Sequence, residues 1–244
     1  MLYARPTPEP ATGTFAHIFI RKGGTPTGGG WAGFEPQPMR TACQIAAYNL
    51  RPMSLIHDVL THNAQFVRRK EYEAYRTDRF PNKKAVILTC MDTRLVELLP
   101  RAMNLGQGDA KVVKAAGAIV STPFGGVMRS ILVAVYELDA AEVAVVGHHG
   151  CGMTGLSCAR ILDKARARGV SDEVVNTLRH AGIDLEGWLA GFADAETGVR
   201  ASVRTIRQHP LLPRDVPVHG LLICHETGKL DLLIDGYAEL PPQR

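Results

Sequence analysis

Residues 84–94 read Lys-Ala-Val-Ile-Leu-Thr-Cys-Met-Asp-Thr-Arg, and residues 142–153 read Glu-Val-Ala-Val-Val-Gly-His-His-Gly-Cys-Gly-Met. Each is a short apolar run that ends in residues able to do chemistry. The first predicts a buried strand over 84–89 ending at Cys90, the second a strand over 142–146 running into Gly147 and His148. Between them, Leu95 to about Met103 reads as a helix that Pro100 breaks or kinks, and Ala110–Lys114 reads as a further strand. A loop with Gly117, Pro123, Gly125 and Gly126 follows. After it comes a helix with Val127, Met128, Ile131, Leu132, Val135 and Tyr136 on one face. Strand, helix, strand, helix, strand with short connections implies right-handed crossovers and a parallel sheet. The fold class is therefore α/β, a mostly parallel sheet flanked by helices.

Upstream, Ser54 is placed to cap a helix carrying Leu55, Ile56, Val59, Leu60, Phe66 and Val67 at 3-and-4 spacing. Downstream, helices are expected from Met153 to about Gln208, with Ser171 as a cap and Asp172 and Glu173 in the first turn. Pro217–His225 and Leu230–Asp235 read as strands joined by the turn Glu226-Thr227-Gly228-Lys229. Residues 1–52 differ in kind. Pro, Gly and Thr dominate them, and no apolar period is sustained. They are expected to be a disordered tail, or sequence upstream of the natural start, rather than an organelle-targeting extension, ahead of a domain over 53–244.

Composition narrows the function. The chain has 244 residues, 45% hydrophobic and 21% charged, with a formal net charge of +4. No long Lys/Arg block or aromatic-interleaved basic stretch is present, which argues against nucleic acid as a partner. No apolar run approaches the ~18 residues a membrane-spanning helix needs. Five cysteines, spread from Cys43 to Cys224, do not make a disulfide scaffold, so a reducing cytoplasm is the expected setting.

Cys90 and the His148/Cys151 pair both sit at strand ends. In an open α/β sheet the carboxyl ends of the strands are where ligands bind. Two thiolates and one imidazole suit zinc, and three protein ligands leave the fourth position open for catalysis. Two thiolates neutralise the dication, so its pull on a water is weaker than in an all-histidine site. A nearby group must then orient the nucleophile. Asp92 is placed for this, and Arg94 for holding that carboxylate ionised through a two-point contact. His149 is expected to point elsewhere, Cys158 and Cys224 to be core residues, and His57 and His62 to face solvent. Cys43 belongs to the N-terminal extension. The Gly-rich loop over 117–126 matches neither a P-loop nor a dinucleotide fingerprint. No proton shuttle stands out.

Taken together, Cys90-Met91-Asp92-Thr93-Arg94 resembles the Cys-x-Asp-x-Arg motif of the β-class carbonic anhydrases, and Gly147-His148-His149-Gly150-Cys151-Gly152 their Gly-His-x-x-Cys-Gly motif. The stretch through Ala116-Gly117, the Arg129-Ser130 helix and the Thr227-Gly228 turn also fit, so the resemblance spans about residues 53–238. It implies a Rossmann-like β-carbonic anhydrase fold, with Zn2+ held by Cys90, His148 and Cys151 and an Asp92–Arg94 dyad. The implied reaction is reversible hydration of CO2 to bicarbonate by zinc-bound hydroxide. It further implies that Asp92 joins the metal as a fourth ligand in a closed form, and that the chain forms a homodimer or higher homo-oligomer. The chain departs from the pattern at Ala115, where many relatives carry asparagine. That departure keeps two alternatives open: hydrolysis of a CO2-like molecule such as carbonyl sulfide or carbon disulfide, and a non-catalytic zinc-binding role.

Overall fold

A computed structural model describes residues 54–240. The expected N-terminal extension, residues 1–52, lies outside the described residues. Two units divide after Arg69. In the first, helix α1 (Leu55–Arg68) starts where the hydroxyl of Ser54 accepts the N–H of His57 at 3.2 Å. His57 and His62 are exposed, and no residue of the helix is buried; Leu55 is 75% exposed.

The second unit is built on a five-stranded sheet. Its strands are β1 (Ala85–Cys90), β2 (Ala110–Ala115), β3 (Glu142–His148), β4 (Val218–Ile223) and β5 (Leu230–Ile234), in the order β2-β1-β3-β4-β5. The first four run parallel, and β5 is antiparallel to β4 across the 224–229 turn. The central strands are apolar on both faces because helices cover both. Val86, Leu88, Val143 and Val145 pack with helices α3 (Gly126–Glu137) and α7 (Ala195–Arg207). Ile87, Val146 and Ile223 pack with Leu95 and Leu99 of α2 (Leu95–Ala102). Each fully buried aliphatic side chain contributes roughly 1.5–3 kcal/mol relative to exposure. Outside the sheet, α4 (Cys158–Arg166), α5 (Asp172–His180) and α6 (Leu185–Leu189) enclose a small core of Cys158, Leu162, Val175 and Leu185. Ser171 caps α5 through the N–H of Val174.

Four local expectations need correction. Strand β3 does not stop at Val146. It continues to His148, because β4 offers partners there, His148 opposite Ile223. Helix α2 contains Pro100 and persists to Ala102. The hydrogen bond that proline forfeits would have gone to the carbonyl of Val96, a residue 52% exposed, so water can take its place. On α3 the buried positions are Met128, Ile131 and Ala134, and Tyr136 faces outward. At 100° per residue Tyr136 lies about 140° round the helix from Ile131; its hydroxyl donates to the carbonyl of Leu211 at 2.7 Å. Cys224 is not a core residue. It lies just past β4, half-buried, where the Thr227 hydroxyl and the backbone of Glu226 and Thr227 lower its thiol pKa.

Candidate metal centre

Parallel register places the site. Thr89 pairs with Val146 and Cys90 with Ala115, so the carboxyl ends of β1, β2 and β3 meet at one edge of the sheet. Cys90 ends β1, His148 ends β3, and Cys151 follows three residues later in the loop. Their ligand atoms all lie within 4.8 Å of one another, and all three residues are buried. The two sulfurs stand 3.9 Å apart.

Each ligand is oriented by backbone. Gly117 adopts φ +66°, and its N–H donates to Cys90 Sγ at 3.3 Å. The ring of His148 has Nδ1 2.9 Å from the carbonyl oxygen of His149. An N–H donated there places the proton on Nδ1 and leaves Nε2 with a lone pair. Nε2 is buried without a hydrogen-bond partner. His149 itself is exposed.

The two thiols differ. Burial works against the Cys90 thiolate, yet the imidazole of His148 and the N–H groups of Asp92 and Gly117 outweigh it and lower the pKa. Burial raises the pKa of Cys151; the N–H of Met153 offsets only part, and the charge of Cys90 adds to the rise. The surroundings thus favour the thiolate of Cys90 and disfavour that of Cys151. Two buried sulfurs 3.9 Å apart and an orphaned imidazole nitrogen beside them fit a metal ion.

Asp92 and Arg94 face the same cavity, whose volume is about 510 Å³ and whose lining includes Cys90, Met91, Gly117, Cys151 and Met153. Asp92 Oδ1 accepts the backbone N–H and the Nε–H of Arg94, both at 2.9 Å, and Oδ2 accepts Nη2–H at 2.8 Å. The side chain and backbone of Arg94 hold this carboxyl well below the usual carboxylate range. Oδ2 also lies 3.7 Å from His148 Nε2, within the reach of the cluster. The same Nη2 donates to the carbonyl of Gly150 at 3.0 Å, which ties Arg94 to the loop between His148 and Cys151.

Three neighbours carried no signal in the sequence. Gly150 takes φ +65°, and a Cβ there would lie 3.3 Å from His225 Nε2. The His225 ring sits 6.3 Å from that of His148, with Nδ1 buried and unpartnered. Phe192 packs against the cluster from a segment some forty residues beyond the motif. Ala115 is also placed differently from its sequence reading. Its side chain packs in the core on the α3 side, its carbonyl accepts the N–H of Met91 at 3.1 Å, and Ala116 and Gly117 line the cavity instead.

Known proteins are similar to this chain in sequence and fold. The family model described as carbonic anhydrase matches residues 85–230. The Bacillus subtilis protein YvdA, whose name assigns it provisionally to the carbonic anhydrases, is 60% identical over 188 residues, covering 77% of this chain and 95% of its own. YtiB of the same organism, similarly named, is 55% identical over 185 residues, covering 76% and 99%. The crystal structure of β-carbonic anhydrase isoform I from Trichomonas vaginalis superposes with a TM-score of 0.70 at 34% identity, covering 76% of this chain and all of that one.

Proposed function

Since the chain belongs to the β-class carbonic anhydrase family, we propose that it is a zinc enzyme catalysing the reversible hydration of CO2 to bicarbonate. The observation that carries this is the convergence of Cys90, His148 and Cys151 on one buried point beside the forked Asp92–Arg94 pair. The donor set supports zinc. Two sulfurs at ~2.3 Å from a tetrahedral zinc stand about 3.8 Å apart, and here they are 3.9 Å apart before any ion is placed. When bound, the metal supplies the Lewis acidity that makes water a nucleophile near neutral pH.

The chain's own residues do the rest. Cys90, His148 and Cys151 would hold the ion, beside the cavity that Cys90 and Cys151 line. Asp92, fully ionised, only accepts hydrogen bonds. An attacking water or hydroxide must therefore turn its proton toward Asp92 and its lone pair toward CO2. Arg94 keeps both carboxylate oxygens occupied, which holds Asp92 off the metal. With Arg94 released, Oδ2, 3.7 Å from His148 Nε2, would be free to join the three ligands, which would give a closed form.

The same reading takes the chain to form a homodimer or larger homo-oligomer, supported by the apolar face that α1 leaves exposed at Leu55, Ile56 and Val59. It sets the protein in a reducing compartment such as the cytoplasm, supported by the free thiols of Cys90, Cys151, Cys158 and Cys224.

Stopped-flow CO2 hydration by the zinc-loaded full chain, at neutral and at alkaline pH, is the test. Hydration that disappears on zinc removal is the expected result. Zinc-dependent hydrolysis of carbonyl sulfide or carbon disulfide without CO2 hydration would move the substrate, and neither activity would leave a non-catalytic zinc protein.

A further inference from the structure

The sulfur of Cys90 receives the backbone N–H of Gly117 at 3.3 Å. One aromatic ring packs against that glycine, and its own backbone is tied to the loop that follows Cys151. A Cβ placed on Gly117 would lie 2.8 Å from Cε1 of Phe192 and 3.0 Å from Cγ of Met153. The backbone of Phe192 is stitched to the Met153 loop as well. Its N–H donates to the carbonyl of Met153 at 3.3 Å, its carbonyl accepts the N–H of Gly155 at 2.9 Å, and it forms a bridge with Thr154.

Room for this ring is made in an unusual place. Gly198 is the fourth residue of α7 and buried, and a Cβ there would collide with Phe192. Glycine is, after proline, the poorest residue for a helix interior. On the loop side, a Cβ on Gly191 would collide with the carbonyl of Met153. Gly117 and Gly198 thus leave a slot for the ring, and Gly191 lets its segment lie close against the Met153 carbonyl. Phe192 does not line the cavity in which Asp92 and Arg94 stand.

We propose that Phe192 is a positioning residue for the metal centre: its ring fixes Gly117, whose N–H bonds the sulfur of Cys90, and its backbone holds the loop that follows Cys151. An N–H···S bond holds the sulfur in place and draws charge away from a thiolate. Losing it leaves the Cys90 sulfur less well placed and more electron-rich as a ligand. The proposal rests on metal binding at this cluster but not on the reaction catalysed.

The test uses the full chain loaded with Co2+ or Zn2+, with Phe192→Leu, which trims the ring, and Gly198→Ala, which displaces it. The sulfur-to-cobalt charge-transfer band and the zinc affinity, by chelator competition near neutral pH, are the readouts. Both variants are expected to move the band to lower energy and weaken zinc binding about tenfold to a hundredfold. Leu162→Ala, in the separate core of α4 to α6, is expected to lower thermal stability and leave the band in place. A folded Phe192→Leu or Gly198→Ala protein with the wild-type band and affinity would overturn the proposal, as would an equal shift in Leu162→Ala. Failure of the wild-type chain to bind either ion would overturn the metal reading itself, and this proposal with it.

Discussion

The guanidinium of Arg94 and the carboxylate of Asp92 meet in a two-point fork, Nε to Oδ1 at 2.9 Å and Nη2 to Oδ2 at 2.8 Å. Nη2 reaches on to the Gly150 carbonyl, so one side chain joins the loop after β1 to the loop after β3. A lysine cannot reproduce the fork, because an ammonium is a point charge without a planar pair of donors. Arg94→Lys is expected to retain zinc and to lower kcat/KM for CO2 by about tenfold or more, the scale of losing a group that orients an active-site partner. Stopped-flow kinetics with zinc content measured on the same sample checks this. Unchanged kinetics would remove the proposed role.

Replacing Asp92 by Asn keeps the shape and adds an N–H donor. The nucleophile then loses its enforced orientation. Zinc content is expected to stay at the wild-type level while turnover falls by about 10²–10⁴-fold, the usual range for a positioned acid–base group. Full activity in Asp92→Asn would show that the carboxylate is structural.

Helix α7, which carries Gly198, is capped at its N-terminus by Asp194. Its carboxylate accepts the N–H of Thr197 and the Thr197 hydroxyl, both at 2.8 Å. These contacts hold its pKa below the usual carboxylate value. A depressed folded-state pKa gives stability that is fully present above the unfolded value, ~3.9, and is lost as pH falls through the folded one. Asp194→Asn is therefore expected to melt below wild type at neutral pH, with the gap closing as the pH drops below ~4. Thermal melts along a pH series measure it. A gap independent of pH would contradict the assignment.

Ala115 shows where the sequence misleads. Its position in the motif suggests a missing hydrogen bond in the site, but its side chain lies with Val113 against the core. Ala115→Asn places an amide at a partly buried position against the core and is expected to lower stability by about 1 kcal/mol. It is not expected to raise CO2 turnover. Denaturant unfolding together with kinetics decides between the two views.

Much of the site was legible because it hangs on local pattern. The apolar runs before Cys90 and His148 announce buried strands, and parallel strands bring their carboxyl ends to one edge. Other features depend on contacts that no local pattern encodes. The reach of β3 to His148 follows from β4 alongside it. Cys224 reads as strand and core, but the hairpin carries it out of both. Phe192 in sequence follows Trp188 in a short apolar segment that reads as ordinary core, and only packing shows Gly117 and Gly198 beside its ring. Gly150 contributes a carbonyl, which every residue has.

The most direct test of the central claim, that Cys90, His148 and Cys151 hold the metal, is zinc K-edge X-ray absorption on the zinc-loaded full chain. The expected first shell has two sulfurs at ~2.3 Å and two lighter N or O atoms at about 2.0–2.1 Å, falling to one sulfur in Cys90→Ser. A shell without sulfur, or one unchanged by Cys90→Ser, would contradict it.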